Sequence, residues 1–340
     1  LLSILFCLSF IYPITQFNFL FEWLENIIRY IAQLSTRALV FGQPSLWILI
    51  LLLITLALIY DYRKNVKKIS MLVIVAISFF LVTKHPLENE ITVLDMEQGR
   101  SIFLRDIAGK TILLDVGEKS ERDKKEAWQE RLSSSNAKRS LIPYLKSRGV
   151  AKIDQLVLTT SEPKQLDHVL EMSKSFELEE ILVSEETLSK REFMDKLKKS
   201  KIKVATIKTG QQLFIFGSSL EAFTSQNGDK KDSMVLYGKL LNQTFLVTGN
   251  LEEKFLTKSY PKLQADIVIT HQQASKKKTD VEVFKNLQPK TTVISVDKKK
   301  KFKEKNEESN QELGNSIYKT DQKGAIRFKG WSTWRIETVR

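Results

Sequence analysis

Cysteine and histidine are the scarce residues of this 340-residue chain: there is one Cys, at position 7, and there are three His. A lone thiol inside an apolar run has no partner within the chain, which excludes a disulfide framework and a Cys-rich zinc site. Three imidazoles exclude a binuclear metal centre built mainly from histidine. The sequence does not start with Met, and its opening apolar run leads into further apolar segments instead of a small-residue cleavage site. It therefore reads as the tail of a longer membrane protein and not as a secretory precursor.

What is present falls into two parts. The overall hydrophobic share of 42% averages a strongly apolar stretch, residues 1–84, with residues 88–340, whose composition is that of a globular domain. Apolar runs at about 1–19, 44–60 and 69–83 are expected as membrane-spanning helices, the first interrupted near Pro13. Trp23, Ile27, Tyr30, Ile31, Leu34 and Ala38 recur at helical spacing, while Glu22, Glu25, Arg29 and Gln33 take other faces, so an amphipathic helix is expected over about 22–40. The segment Asp61–Lys68 carries four positive charges against one negative, which places it on the cytoplasmic side. If both neighbouring runs span, everything after Lys84 lies outside the cytoplasmic membrane. The expectation is a multi-pass membrane protein in contact with the lipid bilayer, with an extracytoplasmic C-terminal domain.

In the second part, period-2 or continuous apolar strand signals recur from 91–95 to 324–328, and helical patterns intervene at about 136–148, 163–176, 186–199, 251–259 and 280–286. Early hairpins followed by strand and helix alternation imply an α/β domain with two sheets and helices outside them, a four-layer αββα arrangement. Polar stretches at 119–139, 226–232 and 298–311 read as surface excursions.

Several motifs occur in a fixed order. Leu94-Asp95-Met96-Glu97-Gln98-Gly99 precedes Thr111-Ile112-Leu113-Leu114-Asp115-Val116-Gly117; Pro143 to Gly149 precedes Ile153 to Thr160; Asp232-Ser233, then Thr248-Gly249-Asn250, then Tyr318 to Gly324 follow. Together these resemble the metallo-β-lactamase-like domain of the ComEC family, the channel proteins of bacterial DNA uptake, whose first pattern is Asp-Val-Gly-Gln-Gly-Asp. The resemblance covers about residues 91–328, and the apolar segments before it resemble the end of that family's membrane region. It implies a metallo-β-lactamase-like fold preceded by transmembrane helices, and import of single-stranded DNA across the cytoplasmic membrane during natural competence.

The same resemblance locates a degenerate metal site. The family's metal loop, Thr-His-x-Asp-x-Asp-His, aligns without a gap so that its four side chains fall on Thr160, Glu162, Lys164 and Gln165. The family's His-His-Gly-Ser-Lys lands on Gln272-Gln273-Ala274-Ser275-Lys276, Asn250 stands where relatives carry a bridging aspartate, and no Gly-His-Pro element lies between Val296 and Asn315. Zinc or manganese catalysis needs convergent imidazoles and carboxylates. Lysine and glutamine at these positions do not supply them, so neither a metal nor another cofactor is expected. Asp95, Asp115 and Asp154 are read as turn caps or acceptors from backbone N–H groups. His168 is read as a surface or helix-packing residue. The competing reading is an active metal-dependent nuclease using Asp95, Asp115, Asp167, His168 and His271.

With 53 Lys and Arg against 40 Asp and Glu, the net charge is +13. Lys164 and the run Lys276-Lys277-Lys278 fall on loops that the resemblance brings to one rim, making them candidate contacts for a DNA phosphate backbone. An ordinary solvated basic surface stands beside that reading. Trp331 and Trp334 offer either base-stacking platforms or packing anchors. The function expected is a non-catalytic domain that guides or scaffolds DNA beside an import channel, with other competence DNA-uptake proteins and a homo-oligomer as partners. A protein-only assembly module is the further alternative.

Overall fold

The computed structural model of the protein describes residues 22, 26, 40, 42–44, 46–62, 64–84, 88–118, 135–160, 163–198, 202–208, 210–215, 218–224, 234–240, 243–248, 262–271, 286–296, 316–330 and 333–339. Two compact units divide the chain, Leu1–Val40 and Phe41–Arg340. Of the first, Glu22 and Asn26 are described, both helical and exposed, together with Val40. The span expected at 1–19 and most of the amphipathic helix expected over 22–40 lie outside the described residues.

The second unit opens with two helices, α1 (Leu46–Asp61) and α2 (Val66–Lys84), joined by a short turn. Asn65 caps α2, its Oδ1 accepting from the Lys68 amide at 3.3 Å, and Lys68 Nζ lies 4.2 Å from the centre of the Tyr62 ring. These helices overturn the expectation of spans at 44–60 and 69–83. At 1.5 Å per residue the 16 residues of α1 reach roughly 24 Å, short of a hydrocarbon layer of about 30 Å. The 19 residues of α2 begin Val66-Lys67-Lys68 and end at Lys84, which leaves a still shorter apolar middle. Among the described residues no helix is long and apolar enough to cross a membrane, and the multi-pass topology inferred from these runs, with its sidedness, falls with them.

Fifteen described strands follow. In chain order they are β1 (Asn89–Val93), β2 (Ile102–Arg105), β3 (Thr111–Leu114), β4 (Lys152–Val157), β5 (Glu177–Ser184), β6 (Lys203–Ile207), β7 (Gln212–Ile215), β8 (Ser218–Thr224), β9 (Met234–Leu240), β10 (Gln243–Val247), β11 (Ile267–His271), β12 (Thr291–Ser295), β13 (Ser316–Lys319), β14 (Ala325–Gly330) and β15 (Arg335–Val339). The first sheet has the order β15-β14-β1-β2-β3-β4-β5-β6 and the second β13-β12-β11-β10-β9-β8-β7. Each is antiparallel in one part and parallel in the other, switching at β3 to β4 and at β10 to β11. Parallel neighbours need crossover connections. In the first sheet these are a π-helical turn (Ala137–Leu141) running into α3 (Ile142–Ser147), then α4 (Pro163–Ser175), then α5 (Glu185–Ser189) with α6 (Arg191–Lys198).

Side-chain alternation sets the layers. In β2, Ile102 and Leu104 join the core between the sheets while Phe103 faces the helices, and in β3 Ile112 and Leu114 point inward while Leu113 points outward. The inter-sheet core also takes Leu220, Leu236, Phe245, Ile269 and Val293 from the second sheet, so the two sheets pack face to face. The outer face of the first sheet packs on Leu141, Leu145, Leu166, Val169, Met172, Phe193 and Leu197 of the helical layer. Leu166 and Val169, and Phe193 and Leu197, follow the three- and four-residue spacing that puts side chains on one helical face. Phe223, Val235, Leu246, Val268 and Leu287 form a smaller cluster on the outer face of the second sheet. The α/β layering expected from the sequence is present; the helices expected at 251–259 and 280–286 fall almost entirely outside the described residues. The sequence pattern missed β13, β15 and the short α7 (Thr320–Lys323). Trp334, just before β15, packs edge-on against Phe328 with ring centres 6.3 Å apart, so it serves as a packing anchor.

Candidate functional site

The carboxyl ends of β3 and β4 in the first sheet and of β10 in the second come together, at the kind of position where open α/β sheets offer a crevice. Asp115 follows β3, Thr159 and Thr160 follow β4, Thr248 follows β10, and His271 ends β11. Two glycines permit the loops around them. Gly99 and Gly117 have φ of 74° and 70°, and a Cβ on Gly117 would stand 2.6 Å from Met96 Cε. Asp115 also has positive φ, 55°, a conformation that Asp tolerates better than most residues.

Arg100 fills the middle of this convergence. Its Nε donates to Asp115 Oδ2 at 3.0 Å, its Nη2 to Thr159 Oγ1 at 2.8 Å, and its Nη1 to the Thr248 carbonyl oxygen. Asp115 is saturated in turn: Oδ1 accepts from the Thr159 amide at 2.8 Å, and Oδ2 accepts from the Thr159 hydroxyl at 2.6 Å as well as from Arg100. The side chains of Arg100 and Asp115 are 6% and 2% exposed, so each charge has its counter-ion within the fold. The guanidinium thereby joins β3 and β4 of one sheet to β10 of the other.

Two of the four metal-loop positions are described with their side chains. Thr160 and Gln165 bond to each other, Gln165 Nε2 donating to Thr160 Oγ1 at 3.1 Å. Lys164 lies in the first turn of α4, while Glu162, Asn250, Gln272, Gln273, Lys276, Lys277 and Lys278 lie outside the described residues. His168 is buried, which corrects the surface alternative. Its Nδ1 is 3.0 Å from the Val116 carbonyl, which can only accept, so Nδ1 carries the proton.

The alternative nuclease set does not assemble. Asp167 is exposed and His168 buried, so the adjacent pair does not present both side chains to one site, and Asp115 is committed to Arg100 and Thr159. Among the described residues no group of three or more His, Cys, Asp or Glu could hold a metal ion. Asp154 acts as expected, its Oδ2 accepting from the Thr111 amide at 2.8 Å. Arg100 is the residue that sequence reasoning missed. Its signal was available: aligned on Asp95 to Gly99, it stands at the closing aspartate of Asp-Val-Gly-Gln-Gly-Asp, with the charge reversed.

A second polar cluster lies at the other end of the first sheet. Glu90, 1% exposed, accepts from Arg105 at 2.9 Å, from Arg148 at 2.7 Å and from the Tyr144 hydroxyl at 2.6 Å, and Arg327 Nε is 3.3 Å away. Burial pushes the Glu90 carboxyl up, but Arg148, Arg105 and Tyr144 outweigh it and bring it down to about 2. Burial and the neighbouring Glu90 charge push the Tyr144 phenol well above its ordinary range. With its acceptors filled, this cluster ties β1 to β2, β14 and α3 and offers no free base.

No protein-family model matches the chain. It is 23% identical over 335 residues to ComE operon protein 3 of Bacillus subtilis (strain 168), covering 92% of this chain and 43% of that protein. The chain thus spans less than half the length of this curated relative. Among solved structures, it is similar to the metallo-β-lactamase fold protein YhfI of Bacillus subtilis, at 12% identity and TM-score 0.47 over 68% of this chain and 95% of that one. It is also similar to CmlA, a diiron β-hydroxylase of Streptomyces venezuelae, at 12% identity and TM-score 0.45 over 84% and 59% of the two chains.

Proposed function

We propose that residues 88–340 form a non-catalytic, metallo-β-lactamase-like module of a competence DNA-import apparatus, guiding or scaffolding single-stranded DNA by charge while another protein degrades the second strand. One observation carries the non-catalytic part: Thr160 and Gln165, at two metal-loop positions, are a hydroxyl and an amide hydrogen-bonded to each other. Neither is an anionic ligand, and neither could lower the pKa of a bound water through a metal. The net charge of +13 and the relative named as a ComE operon product support the DNA part.

The test uses the whole chain with labelled single-stranded DNA. Binding should weaken steeply with salt, as counterion release requires. Charge reversal at Lys164 and at Lys276 to Lys278 should weaken it further and flatten the salt dependence. Incubation with Mn²⁺, Mg²⁺ or Zn²⁺ should yield no cleavage; metal-dependent cutting that disappears in Asp167→Ala and His168→Ala would establish the nuclease instead.

A second reading, a module that contacts only protein, is favoured by α1, whose Leu46, Trp47, Leu53 and Ile54 are exposed. No DNA binding at any salt concentration would select it.

A further inference from the structure

The two sheets repeat one construction. Thr111 at the start of β3 is held by Asp154 at the start of β4, Thr244 in β10 is held by Asp266 just before β11, and Asp115 and Thr248 stand four residues beyond Thr111 and Thr244 respectively. Arg100 bonds the side chain of Asp115 and the carbonyl of Thr248, so it bridges the two equivalent strand ends. Its third arm reaches Thr159, beside Thr160.

The metallo-β-lactamase-like resemblance implies metal at this end of the sheets, but the described residues here do not fit one. Asp115, the buried carboxylate at the centre, has both oxygens engaged. Its charge is already balanced one-to-one by Arg100, so a divalent ion would add buried charge without a counter-ion. We propose that the Arg100 guanidinium is a built-in replacement for the metal cation: its planar fork aims three donors at three fixed acceptors and closes the seam between the sheets independently of divalent ions.

The proposal rests on the non-catalytic reading in one respect, since a native metal site would defeat both. Failure of the Arg100 variants defeats this proposal alone and leaves the DNA assays untouched. The experiment is thermal unfolding of the whole chain in chelator, in Mn²⁺ and in Zn²⁺, with metal content measured after dialysis. The wild-type midpoint should stay within about 1 °C across all three, and Arg100→Met should lower it by roughly 6–15 °C. Arg100→Asp places a second carboxylate beside Asp115, and its midpoint should rise with Mn²⁺ or Zn²⁺. Should that variant not fold, Arg100→Lys, which keeps the charge and loses the fork, should melt between Arg100→Met and wild type in all three conditions. Stoichiometric metal retained by the wild type overturns the proposal, as does an Arg100→Met midpoint equal to wild type. A folded Arg100→Asp protein indifferent to metal, or Arg100→Lys melting no higher than Arg100→Met, overturns it equally.

Discussion

Asp154 and Thr111 hold each other reciprocally: Asp154 Oδ2 accepts from the Thr111 amide at 2.8 Å and hydroxyl at 2.9 Å, and Thr111 Oγ1 accepts from the Asp154 amide at 3.2 Å. Asp266 and Thr244 repeat the contact in the second sheet at 2.8, 2.9 and 3.0 Å. Both pairs sit where an antiparallel sheet turns parallel, and there the reciprocal bonds lock the strand register. Asp154→Ala and Asp266→Ala should each lose about 1–3 kcal/mol of stability by chemical denaturation. The two losses should add, because the pairs belong to different sheets and share no partner. A loss in only one variant would mean that the repeat is geometric without being energetic.

Glu90 makes stability depend on acid. Its folded carboxyl, at about 2, lies below the ordinary 4.5, because the neighbouring arginines and Tyr144 outweigh the effect of burial. A depressed carboxyl contributes stability that is fully present above the unfolded value and is lost as pH falls from about 4.5 towards 2. The amount is on the order of 3 kcal/mol. Urea midpoints from pH 7 down to pH 2 should show this loss in the wild type. Glu90→Gln should be less stable at pH 7, with Arg105 and Arg148 left without their counter-ion, and should show a shallower acid dependence.

Gly238 gives room to an aromatic ring. It faces Phe245 across β9 and β10, and a Cβ at this position would overlap the Phe245 ring at Cζ. Gly238→Ala should destabilise by about 1–3 kcal/mol through overpacking. Combined with Phe245→Leu, which removes the ring atoms in the way, the double variant should lose less than the sum of the two single losses. Strict additivity in that double-mutant cycle would remove Phe245 as the cause.

The fold was legible in the sequence wherever a local period reported a layer. The alternation Ile102-Phe103-Leu104 marks a strand with both faces buried, and Phe193 with Leu197 marks a helix face; both mean the same thing before and after folding. The apolar runs of α1 and α2 misled because hydropathy measures composition, while spanning requires length between charges. β15, Arg335–Val339, has only intermediate or exposed residues, so it carries no burial pattern to read. At the site, the identities of Thr160 and Gln165 were legible, but not that they bond to each other. What stands in the middle was not, because Arg100 acts through Asp115, Thr159 and Thr248, residues 15, 59 and 148 positions away in the chain.

His168 supplies the remaining prediction. Its Nδ1–H donates to the Val116 carbonyl beside Asp115 and Gly117, fixing that loop to α4 from within the helical layer. Removing the donor leaves a buried carbonyl without this partner, a desolvation cost of about 1–3 kcal/mol. His168→Leu should therefore lose that much by urea denaturation. His168→Asn, whose side-chain amide can donate from nearly the same place as Nδ1, should recover much of it despite its smaller volume. If the ring were held by packing alone, the order would reverse, with leucine tolerated and asparagine more damaging.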